Sequence, residues 1–219
     1  MIGSNATSSL YNSARPAKDQ QWFGRSPTNF NERSVVVNYP IEIAGLKRNL
    51  PLFPINDELQ IAAFILLGDA ELSNACAKAL LEKAPAYDYI LTAEAKGIPL
   101  VHDMARIAGA ERYFVARKKK KLYMGEAIDV CVQSITTAGV QHLLLDEEDA
   151  RRMKGKRILI VDDVISTGES LDALERLCVK AGGIVAGRMA VLAEGDAAKR
   201  TDILYLQPLP LFDKAGRAI

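Results

Sequence analysis

Two aspartates stand side by side at Asp162 and Asp163, and a hydroxyl-rich turn follows them: Ser166, Thr167, Gly168, Glu169, Ser170. Ionised, the two carboxylates accept hydrogen bonds from hydroxyl groups or from the water shell of a Mg²⁺ ion. Small hydroxyl residues hinged on a glycine, at a helix start whose first N–H groups lack partners, suit a phosphate. A plainer reading exists. Ser166 and Glu169 have the spacing of a capping box, and an aspartate at a strand end can simply be solvated. That reading leaves the second carboxylate and the second hydroxyl pair, Thr167 and Ser170, without a purpose.

Two further stretches carry charge. Residues 92–99 read Thr-Ala-Glu-Ala-Lys-Gly-Ile-Pro. Exposed backbone N–H groups with Lys96 suit a second anion, although an ordinary strand-to-helix turn has the same look. Residues 117–121 read Arg-Lys-Lys-Lys-Lys. Such a run is usually solvated, or a patch for nucleic acid, but cations leaving a strand beside two anion loops would neutralise a bound anion. His102 and His142 show no partner and read as packing or surface residues.

The elements that must position these groups follow from periodicity. Residues 158–161 form an unbroken apolar run, as in a strand buried on both faces of a parallel sheet. The aspartates then fall at its carboxyl end, where open α/β sheets hold ligands, because an unpaired charge is costly inside the apolar layers. Leu171, Leu174, Leu177, Cys178 and Ala181 recur at helical spacing, and Gly182-Gly183 ends that helix. Further core strands are expected at 87–91, 113–116, 184–192 and 203–206, with 194–196 a turn. Helices are expected over 59–67, over 69–84 with Asp69 as N-cap, from near Pro99, and over 146–153. Residues 34–54 alternate as strands, and 128–135 with 140–145 read as a hairpin around Ala138-Gly139. The fold class is α/β: an open, mostly parallel sheet flanked by helices, with a small hood subdomain. Residues 1–34, polar with scattered proline, read as an arm in which Trp22 and Phe23 could dock on a neighbour. The domain proper is 35–219, its hood built from about 35–58 plus the C-terminal segment, with residues 208–212 closing against it.

The 219 residues are 49% hydrophobic with a net charge of +1. That allows one domain with a sizeable core, and no global field for nucleic acid. There is no apolar run of membrane-spanning length and no secretory signal, so a cytoplasmic protein is expected. Cys76, Cys131 and Cys178 have no C-x-x-C spacing and read as small hydrophobes of a reducing compartment.

The run Val161-Asp162-Asp163-Val164-Ile165-Ser166-Thr167-Gly168-Glu169-Ser170 closely resembles the signature of type I phosphoribosyltransferases, which bind phosphoribosyl pyrophosphate (PRPP). The resemblance implies that Asp162 and Asp163 hold the ribose hydroxyls, with Mg²⁺ carried by PRPP near them and no direct protein-held metal. It implies that residues 166–170 wrap the 5-phosphate. Ala95, Lys96 and Gly97, with Arg117, Lys118 and Lys119 of a loop that closes over PRPP in the family, would receive pyrophosphate, Arg117 and Lys118 being the nearer contacts. Lys120 and Lys121 would be solvated. Asp162, Asp163 and Glu94 are the expected catalytic carboxylates, and Val164 and Ile165 the apolar wall for the base. Residues 45–52 look like the hood of the purine branch, so the expected reaction is phosphoribosyl transfer to a purine, adenine first, in purine salvage by a homodimer. The loop Glu94-Ala95-Lys96-Gly97 departs from the Ser-Arg-Gly common in adenine-specific members. It looks more like the xanthine enzymes and the purine-responsive repressors, which keeps xanthine or hypoxanthine–guanine transfer, or a non-catalytic PRPP sensor, as alternatives. A sensor of that kind adds a helix-turn-helix, for which residues 1–34 show no periodicity. A phosphoacceptor receiver domain needs more chain after its acidic pair than follows here.

Overall fold

The computed structural model describes residues 37–132 and 141–219. The expected arm, with Trp22 and Phe23, and the Ala138-Gly139 turn lie outside the described residues.

The chain opens as a hairpin of β1 (Asn38–Ile43) and β2 (Leu46–Pro54). Ala44 and Gly45 join them, both at positive φ, as a two-residue turn matched to strand twist requires. The helix expected over 59–67 does not form. Instead β3 (Leu59–Ala62) pairs with β2, Phe53 lying opposite Ile61. A short continuous apolar run suits either element, and here the open edge of β2 decides. A C-terminal strand, β11 (Phe212–Asp213), completes this antiparallel sheet in the order β1-β2-β3-β11, and Phe212 meets the Tyr39 ring edge-on at 5.0 Å. The C-terminus thus closes against the hood, as expected.

The main sheet is parallel. Its strands are β4 (Tyr89–Ala93), β5 (Phe114–Ala116), β8 (Arg157–Ile165), β9 (Ile184–Glu194) and β10 (Leu204–Leu209), in the order β10-β9-β8-β4-β5. One face packs on α1 (Ala70–Leu81) and α2 (Ile98–Ile107) through Leu72, Cys76, Leu100 and Met104. The other packs on α4 (Glu169–Lys180) through Leu171, Leu174 and Leu177. The chain leaves β4 through α2 toward β5, then returns to the far side of β4 as β8 and leaves through α4 on the opposite face. A crevice therefore opens between the carboxyl ends of β4 and β8, the topological switch point where open sheets bind ligands.

A second hairpin, β6 (Ala127–Val132) with β7 (Gln141–Asp146), leans on α4. Arg176 donates to the Cys131 carbonyl at 2.6 Å and Lys180 to the Asp129 carbonyl at 2.8 Å. Asp146 caps α3 (Glu147–Met153), and Asp69 caps α1 as expected, also binding Arg48 of β2 and so tying the hood to the core. The expected turn at 194–196 is a strand end followed by a short 3₁₀ helix (Gly195–Lys199). No helix among the described residues is long and apolar enough to cross a membrane.

Candidate active site

Asp162 and Asp163 lie inside β8, three and two positions short of its end rather than beyond it. Asp163 is almost wholly buried, with its carboxylate 4% exposed, and Lys96 Nζ reaches its Oδ2 at 3.0 Å. Lys96 comes from the loop after β4 and is half exposed, so one ion pair spans the crevice and joins that loop to the carboxyl-end half of β8. Asp162 is half-buried, and its Oδ1 accepts the Asp163 backbone N–H at 2.9 Å. Enclosure of its carboxyl, and then the charge of Asp163 beside it, raises its pKa well above the usual carboxylate range.

Gly97 is buried at the start of α2, and its size is required. A Cβ there would meet Thr92 Oγ1 at 2.3 Å and Asp162 Oδ1 at 3.3 Å. The β4 loop can therefore approach the acidic strand only because residue 97 lacks a side chain. The Thr92 hydroxyl, at the end of β4, is buried with no hydrogen-bond partner among the described residues. The peptide between Glu94 and Ala95 is cis.

The turn at 166–170 is open. Ser166, Thr167 and Ser170 are exposed, while Gly168 is buried at φ +87 and forms the N-cap of α4 without any side-chain capping bond. The capping-box geometry of Ser166 with Glu169 is thus not formed, because the helix begins two residues later than that motif needs. Ser166 instead stands beside Glu194, the last residue of β9, as the β8–β9 register requires. Burial raises the Glu194 pKa, an effect offset in part by Ser166 and by the positive field of Lys96.

Two expected contacts are arranged differently. Glu94 spends its carboxylate within the protein: Oε2 pairs with Arg117 Nε at 3.0 Å, and Oε1 accepts the Lys118 backbone N–H at 2.6 Å. It stitches the loop after β4 to the end of β5, with Arg117 as its counter-ion. Lys118, Lys119 and Lys120 are exposed, whereas Lys121, expected to be solvated, is half-buried. Val164 is half-buried on the hood-side core and Ile165 is buried in the core on the α4 face, so the two do not form one wall.

The sequence reading missed two residues here. Glu194 had read as a turn residue. Arg200 binds Asp202 through Nε and Nη2 at 2.9 and 2.7 Å and lays Nη1 against Gly168, 2.7 Å from where a Cβ would stand. No local pattern marks either; a carboxylate ending an apolar strand was the only available signal. His142, expected to be without a role, binds Asp129 at 2.8 Å on the second hairpin, away from the crevice.

An open parallel sheet whose switch point carries an acidic strand, an exposed hydroxyl-rich turn and a cation defines a class of protein: α/β proteins that bind ligands at the carboxyl ends of their strands. A family model for the phosphoribosyl transferase domain matches residues 70–205, and the chain belongs to that family, with the type I fold. Curated relatives include hypoxanthine/guanine phosphoribosyltransferases. That of Methanocella paludicola is 32% identical over 117 residues, 53% of this chain and 57% of the relative. That of Methanotorris igneus is 36% identical over 112 residues, 51% of this chain and 57% of the relative. The chain thus spans just over half the length of these relatives. Similar solved structures include adenine phosphoribosyltransferases. That of Rhodothermus marinus has a TM-score of 0.55 at 22% identity, covering 79% of this chain and 94% of its own. That of Saccharomyces cerevisiae has a TM-score of 0.56 at 21% identity, covering 78% and 94%. At these identities the structures bear on the fold.

Proposed function

We propose that this protein transfers a phosphoribosyl group from PRPP to a purine base, adenine first, releasing pyrophosphate and forming the nucleotide. One observation carries the reading. The Lys96–Asp163 pair joins the loop after β4 to β8 just before the open turn at 166–170, so an acidic pair, a cation and a candidate phosphate cradle share one crevice.

In the reaction the bond from ribose carbon 1 to the pyrophosphate oxygen breaks, with its electron pair leaving on pyrophosphate. A ring nitrogen of the base supplies the pair for the new bond and sheds its proton. Charge develops on the leaving group while the sugar becomes cationic, so the protein's task is to fix both ends and exclude water. Ser166, Thr167, Gly168, Glu169 and Ser170 hold the 5-phosphate, with backbone N–H groups of the α4 start behind them. Ala95, Lys96 and Gly97 receive pyrophosphate, and Lys118 and Lys119 add positive charge from the exposed basic run. Glu94 acts through Arg117, keeping the pyrophosphate loop and that basic run in register. Val164 offers the base an apolar contact on the hood side.

The donor set suits a metal that arrives with the substrate. Lys96 lies in the field of three carboxylates, Asp162, Asp163 and Glu194, so the crevice floor is too acidic to welcome an uncompensated polyanion. Asp163 Oδ2 is buried with no hydrogen bond beyond its ion pair. Mg²⁺ is commonly held by one or two carboxylates with the rest of its shell from phosphate and water. Asp162 and Asp163 would hold it, and when bound it neutralises charge on the departing pyrophosphate.

The test is to incubate the protein with PRPP, Mg²⁺ and each purine base and follow nucleotide formation. Turnover with adenine is the expected result. Turnover with hypoxanthine, guanine or xanthine alone keeps the chemistry and rejects the base, and the curated relatives favour hypoxanthine–guanine as the second reading. Tight PRPP binding without any turnover overturns the enzymatic reading.

A further inference from the structure

Glu194 belongs to none of the steps above, yet it stands beside Ser166 and in the field of Lys96, two residues the steps use. Its place follows from the strand. Ala193 packs against the α4 face of the sheet, and successive residues of a strand alternate, so Glu194 emerges on the opposite, hood-facing side at the carboxyl end of β9. On that side Leu192 pairs with Val164, and both pack in the hood-side core. Glu194 therefore stands one step beyond the apolar contact offered to the base, between that contact and the turn at 166–170. Two groups face it from neighbouring elements: the Ser166 hydroxyl from the turn and Lys96 from the loop after β4.

A carboxylate at this place is chemically odd for phosphate binding, since it repels the ligand and competes with it for the single proton of Ser166. The oddity resolves if its partner is the base. We propose that Glu194 selects the base, accepting a hydrogen bond from an exocyclic amino group and rejecting a carbonyl at the same position, so that a 6-aminopurine is preferred over a 6-oxopurine. The inference rests on the reading of the crevice as a purine phosphoribosyltransferase site. An ionised carboxylate only accepts, so an amino group satisfies it while a carbonyl oxygen sets two acceptors face to face. In a half-buried site the mismatch is expensive, because neither oxygen regains water. The Ser166 hydroxyl beside it fits the same role. When a 5-phosphate enters the turn, the one hydroxyl proton of Ser166 turns to it, and Glu194 is released to accept from the base.

The experiment uses the full chain and two readouts. The first is kcat/KM for adenine and hypoxanthine with PRPP and Mg²⁺; the second is calorimetric titration with AMP and with IMP. The wild-type protein should prefer adenine over hypoxanthine and AMP over IMP, each by about 100-fold or more. Glu194→Gln keeps an acceptor for Ser166 but offers an N–H to a carbonyl, so both ratios should fall by about 10-fold or more, with the KM for PRPP changed much less. Loss shared equally between the two bases, or a change confined to the KM for PRPP, makes Glu194 a holder of Ser166 and overturns the proposal. So does a wild-type protein that binds AMP no better than IMP. If no base turns over, the proposed reaction fails by itself, while the two nucleotide titrations still decide the role of Glu194.

Discussion

Asp163 is a buried charge whose partner, Lys96, is half in water. Truncating one member of a buried pair is usually severe because it strands the other charge in the interior. Here the charge left behind is the solvated one, so Asp163→Asn should cost less than about 1 kcal/mol of unfolding free energy. Its effect on function should be far larger. The variant loses the carboxylate proposed to face the ribose and the metal, and kcat/KM for PRPP should fall by about 100-fold or more. Urea denaturation and initial-rate kinetics on the same preparation decide it; a stability loss as large as the activity loss would return Asp163 to a structural role. Asp162 behaves differently. A carboxyl whose folded-state pKa is raised above its unfolded value contributes stability that is complete below the unfolded value and is lost as pH rises through the folded one. Stability should therefore decline as pH climbs from the ordinary carboxylate range through the raised value. Asp162→Asn should flatten that decline in thermal scans across pH while losing activity.

At the level of elements, the start of α4 depends on Gly168. Its φ of +87 is a conformation that costs a residue with a side chain about 1–2 kcal/mol, and a Cβ would also displace the Arg200 guanidinium. Gly168→Ala should lower stability in chemical denaturation by at least that amount and weaken PRPP use. Adding Arg200→Ala should recover only the contact part of the stability loss, leaving the backbone part. Full recovery would mean that the turn tolerates a side chain and that the glycine serves packing alone.

At the level of the molecule, the candidate site is assembled from the loop after β4, which touches β8 through one ion pair, and the turn after β8, with a third contribution from the end of β9. A ligand bridging them adds its binding free energy to the native state. PRPP with Mg²⁺ at 100 times its dissociation constant should stabilise by about 2.7 kcal/mol, an upward shift of roughly 5–11 °C in Tm for a chain of this size. Asp163→Asn should abolish most of the shift. An unchanged Tm for the wild-type protein would mean that the crevice does not bind PRPP.

Local pattern sufficed where the physics is local. The β-branched run at 158–161, stopped by two carboxylates, reads as a doubly buried strand and forms one; the spacing from Leu171 to Ala181 reads as an amphipathic helix and forms one; and the acidic pair with a glycine-hinged hydroxyl turn between them is the motif that carries the family resemblance. The amino-acid sequence by itself determined that much: the type of fold and the central motif. Everything that required two distant segments to meet was decided by the tertiary structure. The open edge of β2 made residues 59–62 a strand, because a short apolar run carries no preference of its own. Arg117 and Glu94 became partners because β5 ends beside β4. Ser166 stands beside Glu194 rather than at the helix cap because the parallel register of β8 and β9 brings their ends together. Lys96, Asp163 and Glu194 span about a hundred residues of chain, and only the packing of one sheet on its helices makes them neighbours.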